Sequence, residues 1–175
     1  MRILFVAAVD FELDVARLLR AGTSDSFLCS GVGPEASSRA LTTALAADAH
    51  FDLVVDLGIA GSYDGRFPVG AVVQVVTERY GGQRDDVLVN PAPPALFSSL
   101  PQAAGNTVPA LDPRYRNVEA DIETMEGAAF FEICLRHGLS FAEIRAVSNR
   151  VGETDHARWD IPRALRSLSG AIAMI

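Results

Sequence analysis

Two acidic residues and one amide lie where their side chains could do chemistry on a polar ligand. Glu12 follows the largely apolar run "RILFVAAV", Glu126 directly precedes the apolar stretch "GAAFF", and Asn149 follows the strand-like run "IRAVS". A carboxylate at a strand end can act as a general base on water, and one beside apolar surface is costly unless hydrogen-bond donors reach it. An amide can direct its N–H groups toward acceptors on a ligand. These three residues are candidates for one catalytic site.

Each of the three residues also has a purely structural explanation. Glu12 and Glu126 could simply stabilise the positive ends of the helices that they precede. Asn149 could make a local turn, as an asparagine after a strand often does. Trp159, further along the same segment, is more typical of a packing residue than of one that stacks on a base. Residue types alone leave both interpretations open.

A glycine motif suggests a different class of ligand. Gly31, Gly33 and Ala36 match the G-x-G-x-x-G/A fingerprint of dinucleotide-binding proteins, after a predicted strand and before a predicted helix, with Asp52 further on as its acidic residue. However, the motif follows the second predicted strand, and Pro34 removes one backbone N–H that could face a pyrophosphate. The competing interpretation is a tight strand-to-helix turn that needs glycine for close packing.

Composition excludes several functional classes. The chain has 175 residues, 49% of them hydrophobic and 21% charged, which is typical of a globular protein with a substantial core. A net charge of −7 without a Lys/Arg cluster argues against nucleic acid as a partner, and no apolar run is long enough to span a membrane. Cys29 and Cys134 are predicted to be reduced, buried thiols of a cytoplasmic protein. We expect no metal and no cofactor.

The elements that must position these residues follow from hydrophobic patterning. Short β-branched runs alternate with Ala/Leu-rich amphipathic stretches, which predicts an α/β fold, a single domain over 1–175 with a mixed central sheet flanked by helices on both sides. Ligands collect at the carboxyl ends of strands in such folds. The stretch 81–113 is predicted to be a loop with at most one short helix, and 69–81 a strand pair or one long bent strand. Strands are predicted at 2–9, 25–33, 52–61 and 142–151, and helices at 12–22, 34–48, 127–138 and 161–175.

In their joint order these motifs resemble the nucleoside phosphorylase/nucleosidase superfamily. The similarity is greatest to the hydrolases related to methylthioadenosine/S-adenosylhomocysteine nucleosidase and, among them, to the futalosine hydrolase family. It covers residues 1 to about 76 and 120 to about 165, through "VDLGIAGSYDGRFPVGAVVQVVTERYGG", "ETMEGAAFFEICLRHGLSFAEIRAVSN" and "SNRVGETDHARWDIP". The resemblance implies a three-layer sandwich that hydrolyses the N-glycosidic bond of futalosine in the alternative menaquinone pathway.

The resemblance also implies a role for each matching residue. Glu126 would accept hydrogen bonds from the ribose hydroxyls, Met125 would pack against the sugar face, and Glu12 would activate water. A glycine-rich turn, formed by Gly58, Ile59, Ala60 and Gly61, would border the ribose and base pocket. Because Ile59 is apolar and no phosphate-binding loop follows the first strand, water is the expected nucleophile rather than phosphate.

The leaving group is implied by Asn149. Adenine-releasing nucleosidases carry Asp at this place, whereas an Asn can direct its N–H₂ toward O6 and N7 of a 6-oxopurine. Asn149 therefore favours a hypoxanthine-type base, which futalosine carries. Its benzoate-like tail would need a cationic partner, for which Arg150 and Arg158 are candidates against the alternative that both are solvated surface side chains.

Several alternatives stay open. The chain could be another purine nucleosidase acting on methylthioadenosine, S-adenosylhomocysteine or aminofutalosine, a purine nucleoside phosphorylase, a dinucleotide-binding protein, or a non-catalytic binding protein with a shortened middle region. In that region, 81–119, Asn106 and Val108 are weak candidates for flanking the purine. Members of the superfamily are commonly dimers, so a homodimer acting on a small-molecule nucleoside is expected.

Overall fold

The computed structural model describes residues 1–48, 50–81, 86–117 and 119–175. Within these residues the chain forms eight strands and four α-helices. The strands are β1 (Ile3–Ala7), β2 (Ser26–Cys29), β3 (Leu53–Ser62), β4 (Val72–Arg79), β5 (Val87–Val89), β6 (Gln102–Thr107), β7 (Ile122–Thr124) and β8 (Phe141–Arg150). The helices are α1 (Asp10–Leu19), α2 (Pro34–Ala47), α3 (Gly127–His137) and α4 (Ile161–Ile172).

The strands form one mixed sheet that partly closes on itself. Its order is β2-β1-β3-β7-β6-β4-β5, and β8 pairs with both β3 and β4. The pairs β1–β2, β1–β3 and β3–β8 are parallel, whereas β3–β7 and β4–β8 are antiparallel. As a result β3, β7, β6, β4 and β8 form a closed ring, and their inward side chains are removed from solvent.

Helices cover both faces of the sheet, because the strands in its centre are apolar on both sides. In β1, Ile3 and Phe5 pack with α1 and α4, whereas Leu4 and Val6 pack with α2 and α3. This alternation is the period of two that an extended strand imposes. The predicted fold class, an α/β protein with a mixed sheet between two helical layers, is therefore confirmed. None of the helices in the described ranges is long and apolar enough to cross a membrane.

The prediction for the middle of the chain was wrong. The stretch 81–113 was expected to be a loop with at most one short helix; a short 3₁₀ helix is present at Ala95–Phe97, but the stretch also contains β5 and β6. Residues 82–85 of the stretch lie outside the described residues. β6 has the sequence "QAAGNT", whose small residues carry little β-strand signal. The stretch 69–81 contains the single strand β4, with a register shift between Val75 and Thr77 where β4 meets β6.

The ring encloses polar side chains and depends on glycine to make room for them. The carboxylate of Glu78 accepts hydrogen bonds from the hydroxyls of Thr107 at 2.9 Å and Thr124 at 3.3 Å. A methyl group on Gly127, the first residue of α3, would overlap Glu78 and lie 2.6 Å from Oε1 of Glu143. The glycine is therefore required by packing, although alanine is the better helix former.

We expect Gly127→Ala to lower the free energy of unfolding by about 1–3 kcal/mol, the usual cost of overpacking a core. Urea unfolding followed by circular dichroism measures this change. Gly170→Ala in α4 is the matched control, since nothing lies within 4 Å of the added methyl group there. The control should be neutral or slightly stabilising. Equal stability of the two variants would contradict the packing described for the ring.

Candidate active site

Glu12 presents a buried carboxylate to a cavity from the first turn of α1. Its side chain is 4% exposed, and Oε1 accepts a hydrogen bond from the backbone N–H of Ile59 at 2.9 Å. Oε2 is buried and has no hydrogen-bond partner among the described residues. Burial raises the pKa of Glu12, against the opposing effects of the Ile59 hydrogen bond and the charge of Arg145. An oxygen in this state is suited to hold a polar ligand or a water molecule.

Glu126 is held by the glycine turn that precedes α2. The residue stands immediately before α3, is 6% exposed, and accepts a hydrogen bond from the backbone N–H of Gly33 at 2.8 Å. Gly33 has a φ of 97°, which favours glycine, and it caps the N-terminus of α2. This helix end therefore already faces an internal carboxylate. The geometry does not support a pyrophosphate on the Gly31–Gly33–Ala36 motif, which also follows β2 at the edge of the sheet.

Asn149 lies within β8, one residue before its end, which agrees with the predicted strand at 142–151 and not with a turn after the strand. Its Oδ1 accepts a hydrogen bond from the hydroxyl of Ser148 at 2.7 Å, and its Nδ2 donates to the backbone carbonyl of Arg150 at 3.0 Å. The side chain is 8% exposed. These two bonds fix the orientation of the amide and leave the second hydrogen on Nδ2 for a ligand.

One cavity of about 380 Å³ brings these three side chains together, although they are far apart in sequence. The predicted residues Ile59, Ala60, Gly61 and Met125 also line it. The segment 58–61 is not a turn as predicted, because β3 continues through it to Ser62 with a register shift between Ala60 and Gly61. Gly58 does not line the cavity; a side chain there would overlap Arg145 and crowd Glu12.

Two predicted residues lie away from the cavity. Arg158 is exposed and forms ion pairs with Glu153 at 3.5 Å and Asp155 at 3.6 Å. Arg150 is also exposed and is not among the lining residues. Their assignment to the tail of a substrate stays a prediction. His156 and Trp159 line the cavity instead, with their ring centroids 4.3 Å apart.

The weak candidates of the middle region are also absent from the cavity wall. Asn106 and Val108 are fully buried and do not line the cavity. Asn106 instead donates a hydrogen bond to the hydroxyl of Tyr63 at 2.8 Å. Its role in the structure is therefore to orient other side chains behind the cavity.

Arg145 is a buried charge that the sequence analysis did not identify. Its guanidinium lies inside the ring, donates to Glu143 at 2.8 Å and forms an ion pair with Asp56. It also acts electrostatically on Glu12, where its charge opposes the rise in pKa caused by burial. The only available signal was a basic residue between Ile144 and Ala146, in a predicted strand that also contains Glu143. Arg145 thereby helps to keep Glu12 ionised.

Comparisons with known proteins show the family to which the chain belongs. The sequence profile of the Phosphorylase superfamily matches residues 98–173. The futalosine hydrolase of Streptomyces coelicolor is 33% identical over 223 aligned residues, which cover all of this chain and 95% of that protein. The futalosine hydrolase of Thermus thermophilus is 30% identical over 182 residues, covering 86% of this chain and 80% of that protein.

Solved structures show the same fold at low sequence identity. The futalosine hydrolase of Helicobacter pylori superimposes with a TM-score of 0.86 at 13% identity, covering 99% of this chain and 96% of that one. The S-adenosylhomocysteine nucleosidase of Streptococcus pyogenes gives a TM-score of 0.84 at 17% identity, covering 99% and 95% of the two chains. The two sequence relatives and the superfamily profile show that the chain belongs to the futalosine hydrolase family of the phosphorylase superfamily.

Proposed function

We propose that this protein hydrolyses the N-glycosidic bond of futalosine, releasing hypoxanthine and dehypoxanthine futalosine in the alternative menaquinone pathway. The convergence of Glu12, Glu126 and Asn149 on one cavity is the observation that carries the proposal. A nucleoside places a hydroxyl-bearing sugar, a scissile bond and a base within one molecule. Glu126 can bind the sugar hydroxyls, Glu12 can act at the scissile bond, and Asn149 can bind the base.

In the proposed mechanism, cleavage of the C–N bond runs ahead of attack by water, so that the ribose acquires oxocarbenium character. Glu126 accepts hydrogen bonds from the ribose hydroxyls, and Met125 packs against the sugar. Glu12 positions water and removes its proton, while Asn149 stabilises the charge that grows on the purine. Positioning of the reactants and stabilisation of developing charge supply most of the acceleration.

The surroundings of Glu12 are suited to general-base catalysis. Burial raises its pKa above that of an ordinary glutamate, which increases its affinity for the proton of water. The hydrogen bond from Ile59 and the charge of Arg145 act in the opposite direction and favour the ionised form. A carboxylate that is both ionised and more basic than usual can accept a proton near neutral pH.

Water rather than phosphate is the proposed nucleophile. Among the residues that line the cavity, all of them within the described ranges, there is no Lys or Arg to hold a phosphate, and Ile59 is apolar. Release of free base from futalosine should therefore be unaffected by the removal of phosphate from the buffer. Formation of a ribosyl phosphate would instead indicate a phosphorylase.

A substrate panel tests the proposed activity. The protein is incubated with futalosine, inosine and methylthioadenosine in phosphate-free buffer, and free base is measured by chromatography. We expect hypoxanthine from futalosine and little adenine from methylthioadenosine. Release of adenine alone would favour the adenine-releasing nucleosidases over futalosine hydrolysis.

The proposed function predicts a change of base preference in Asn149→Asp. Because a carboxyl group can serve both N7 and the exocyclic amine of adenine, kcat/KM should shift toward adenine nucleosides by about 10-fold or more, the worth of one charge-assisted hydrogen bond. Parallel assays on inosine and adenosine measure the ratio. Asn149→Ala is the control, since it removes the contact without favouring adenine. An unchanged ratio in Asn149→Asp would show that this side chain does not read the base.

We also propose a cytoplasmic homodimer whose 1–175 segment acts as one nucleosidase domain. Cys29 and Cys134 are free thiols, as suits a reducing compartment, although Cys29 is exposed and only Cys134 is buried as predicted. The apolar side chains of Phe11, Val32 and Leu111 line the cavity and are exposed in the single chain. A second copy covering this mouth would remove them from water.

A further inference from the structure

Strand register places an acid, a glycine and an amide in one row across three strands. Gly61 of β3 pairs with Glu123 of β7 on one side and with Asn149 of β8 on the other. Residues paired across neighbouring strands project toward the same face of a sheet. All three line the cavity. The Cα atoms of Glu123 and Asn149 are therefore two strand spacings apart, about 10 Å.

Gly61 keeps the space between the two side chains open. A methyl group at this position would lie 3.3 Å from Nδ2 of Asn149 and 3.1 Å from Cγ2 of Val151. Any larger side chain would fill the gap and displace the amide. The row therefore forms a narrow slot, in which the backbone of Gly61 lies between the acceptor group of Glu123 and the donor group of Asn149.

The carboxylate of Glu123 is held in a fixed orientation from behind. The hydroxyl of Tyr63 donates a hydrogen bond to its Oε2 at 2.7 Å, and Asn106 donates to the same hydroxyl at 2.8 Å. Tyr63 occupies Oε2, which leaves Oε1 as the acceptor that Glu123 can offer to a ligand in the cavity that it lines. Burial raises the pKa of Glu123, with the Tyr63 hydrogen bond and the charge of Arg116 opposing it. The mechanism above gives this oriented acceptor no role.

We propose that Glu123 determines base specificity by accepting a hydrogen bond from N1–H of a 6-oxopurine, while Asn149 donates to O6 or N7 at the other end of the slot. This inference rests on the proposed nucleosidase function. Hypoxanthine carries a donor at N1 and acceptors at O6 and N7, so it matches the row. Adenine has an acceptor at N1, which repels the Glu123 carboxylate, and a 6-amino donor in place of O6, so only its N7 could still accept from Asn149.

Binding of free bases tests this pairing without depending on turnover. Calorimetric titration should show that the wild-type protein binds hypoxanthine at least about 10-fold more tightly than adenine or 1-methylhypoxanthine, which lacks the N1–H. In Glu123→Gln, Tyr63 still donates to the side-chain oxygen, which turns the N–H₂ toward the slot. Affinity for hypoxanthine should then fall about 10- to 100-fold, while affinity for adenine holds or rises.

Glu119→Gln is the matched control, because Glu119 is exposed and does not line the cavity. Its hypoxanthine-to-adenine affinity ratio should equal that of the wild type. An unchanged ratio in Glu123→Gln, or equal wild-type affinity for hypoxanthine and 1-methylhypoxanthine, would overturn the inference. Futalosine turnover by the wild type is measured in parallel. If the wild type hydrolyses futalosine but Glu123→Gln has an unchanged affinity ratio, the role of Glu123 is wrong and the proposed reaction stands. If the affinity ratio changes but the wild type does not hydrolyse futalosine, the proposed reaction is wrong and the role of Glu123 in base binding stands.

Discussion

Glu12→Gln should lose at least about 100-fold in turnover of futalosine, within the range seen when a general base is removed. The glutamine oxygen can still accept the hydrogen bond that Ile59 donates to Glu12 at 2.9 Å, so the local fold should persist. The amide cannot take a proton from water. Steady-state release of hypoxanthine measures the loss, and KM should change far less than kcat because the residue acts on water rather than on the nucleoside.

Asp14→Asn provides the matched control for this measurement. Asp14 lies on the same helix, α1, where it is exposed and pairs with Arg17 at 2.9 Å. The same carboxylate-to-amide change there should leave turnover within about twofold, since an exposed ion pair contributes little to the stability of the fold. Near-normal turnover by Glu12→Gln would contradict the assignment of Glu12 as the base.

Arg145→Met should lower the free energy of unfolding by about 3–5 kcal/mol, the usual cost of removing one partner from a buried ion pair. The guanidinium and both of its partners, Asp56 and Glu143, are fully buried inside the ring. Methionine has a similar volume, so the loss would arise from the stranded carboxylates rather than from a cavity. Urea unfolding at neutral pH measures the change.

A surface arginine gives the comparison. Arg136 pairs with Glu132 along the exposed side of α3, and Arg136→Met should change stability only slightly. Arg145→Met should also reduce turnover, because the charge that keeps Glu12 ionised is lost. If Arg145→Met unfolded at the same urea concentration as Arg136→Met, the ring would not depend on its buried arginine.

Much of the fold could be predicted from local sequence patterns. The predictions that failed concern elements that depend on contacts between residues distant in sequence. The helices α1, α2 and α4 have amphipathic sequences, and β3 and β8 contain short apolar and β-branched runs, so both types were recognisable. β6 and β7 are short and contain small or polar residues. They form strands because they pair with strands that are distant in sequence and that complete the ring. Tertiary pairing, rather than the β-propensity of their residues, determines this structure.

The candidate site likewise contains residues that local sequence identified and residues that only the folded structure reveals. Glu12, Glu126 and Asn149 were identifiable because polar side chains at strand ends and helix starts are typical of ligand sites in α/β folds. Arg150 was selected for its closeness to Asn149 in sequence, but successive residues of a strand point to opposite faces. Glu123 was missed because only the register of β7 against β3 brings it beside Gly61.

The glycine motif was ambiguous for a physical reason. Gly31 and Gly33 both have positive φ, as a dinucleotide-binding turn would also require. What distinguishes the two interpretations is the group that faces the N-terminus of α2. That group is the carboxylate of Glu126, which stands 93 residues further along the chain from Gly33 and could not be placed by local sequence.

A crystal structure of Glu12→Gln soaked with futalosine tests the central claim most directly, because slow turnover should preserve the substrate. The account predicts that the sugar–purine bond lies between Gln at position 12 and Asn149, with the ribose hydroxyls on Glu126 and the purine above Gly61. A nucleoside bound elsewhere, or bound in this cavity with its hydroxyls directed away from Glu126, would contradict it.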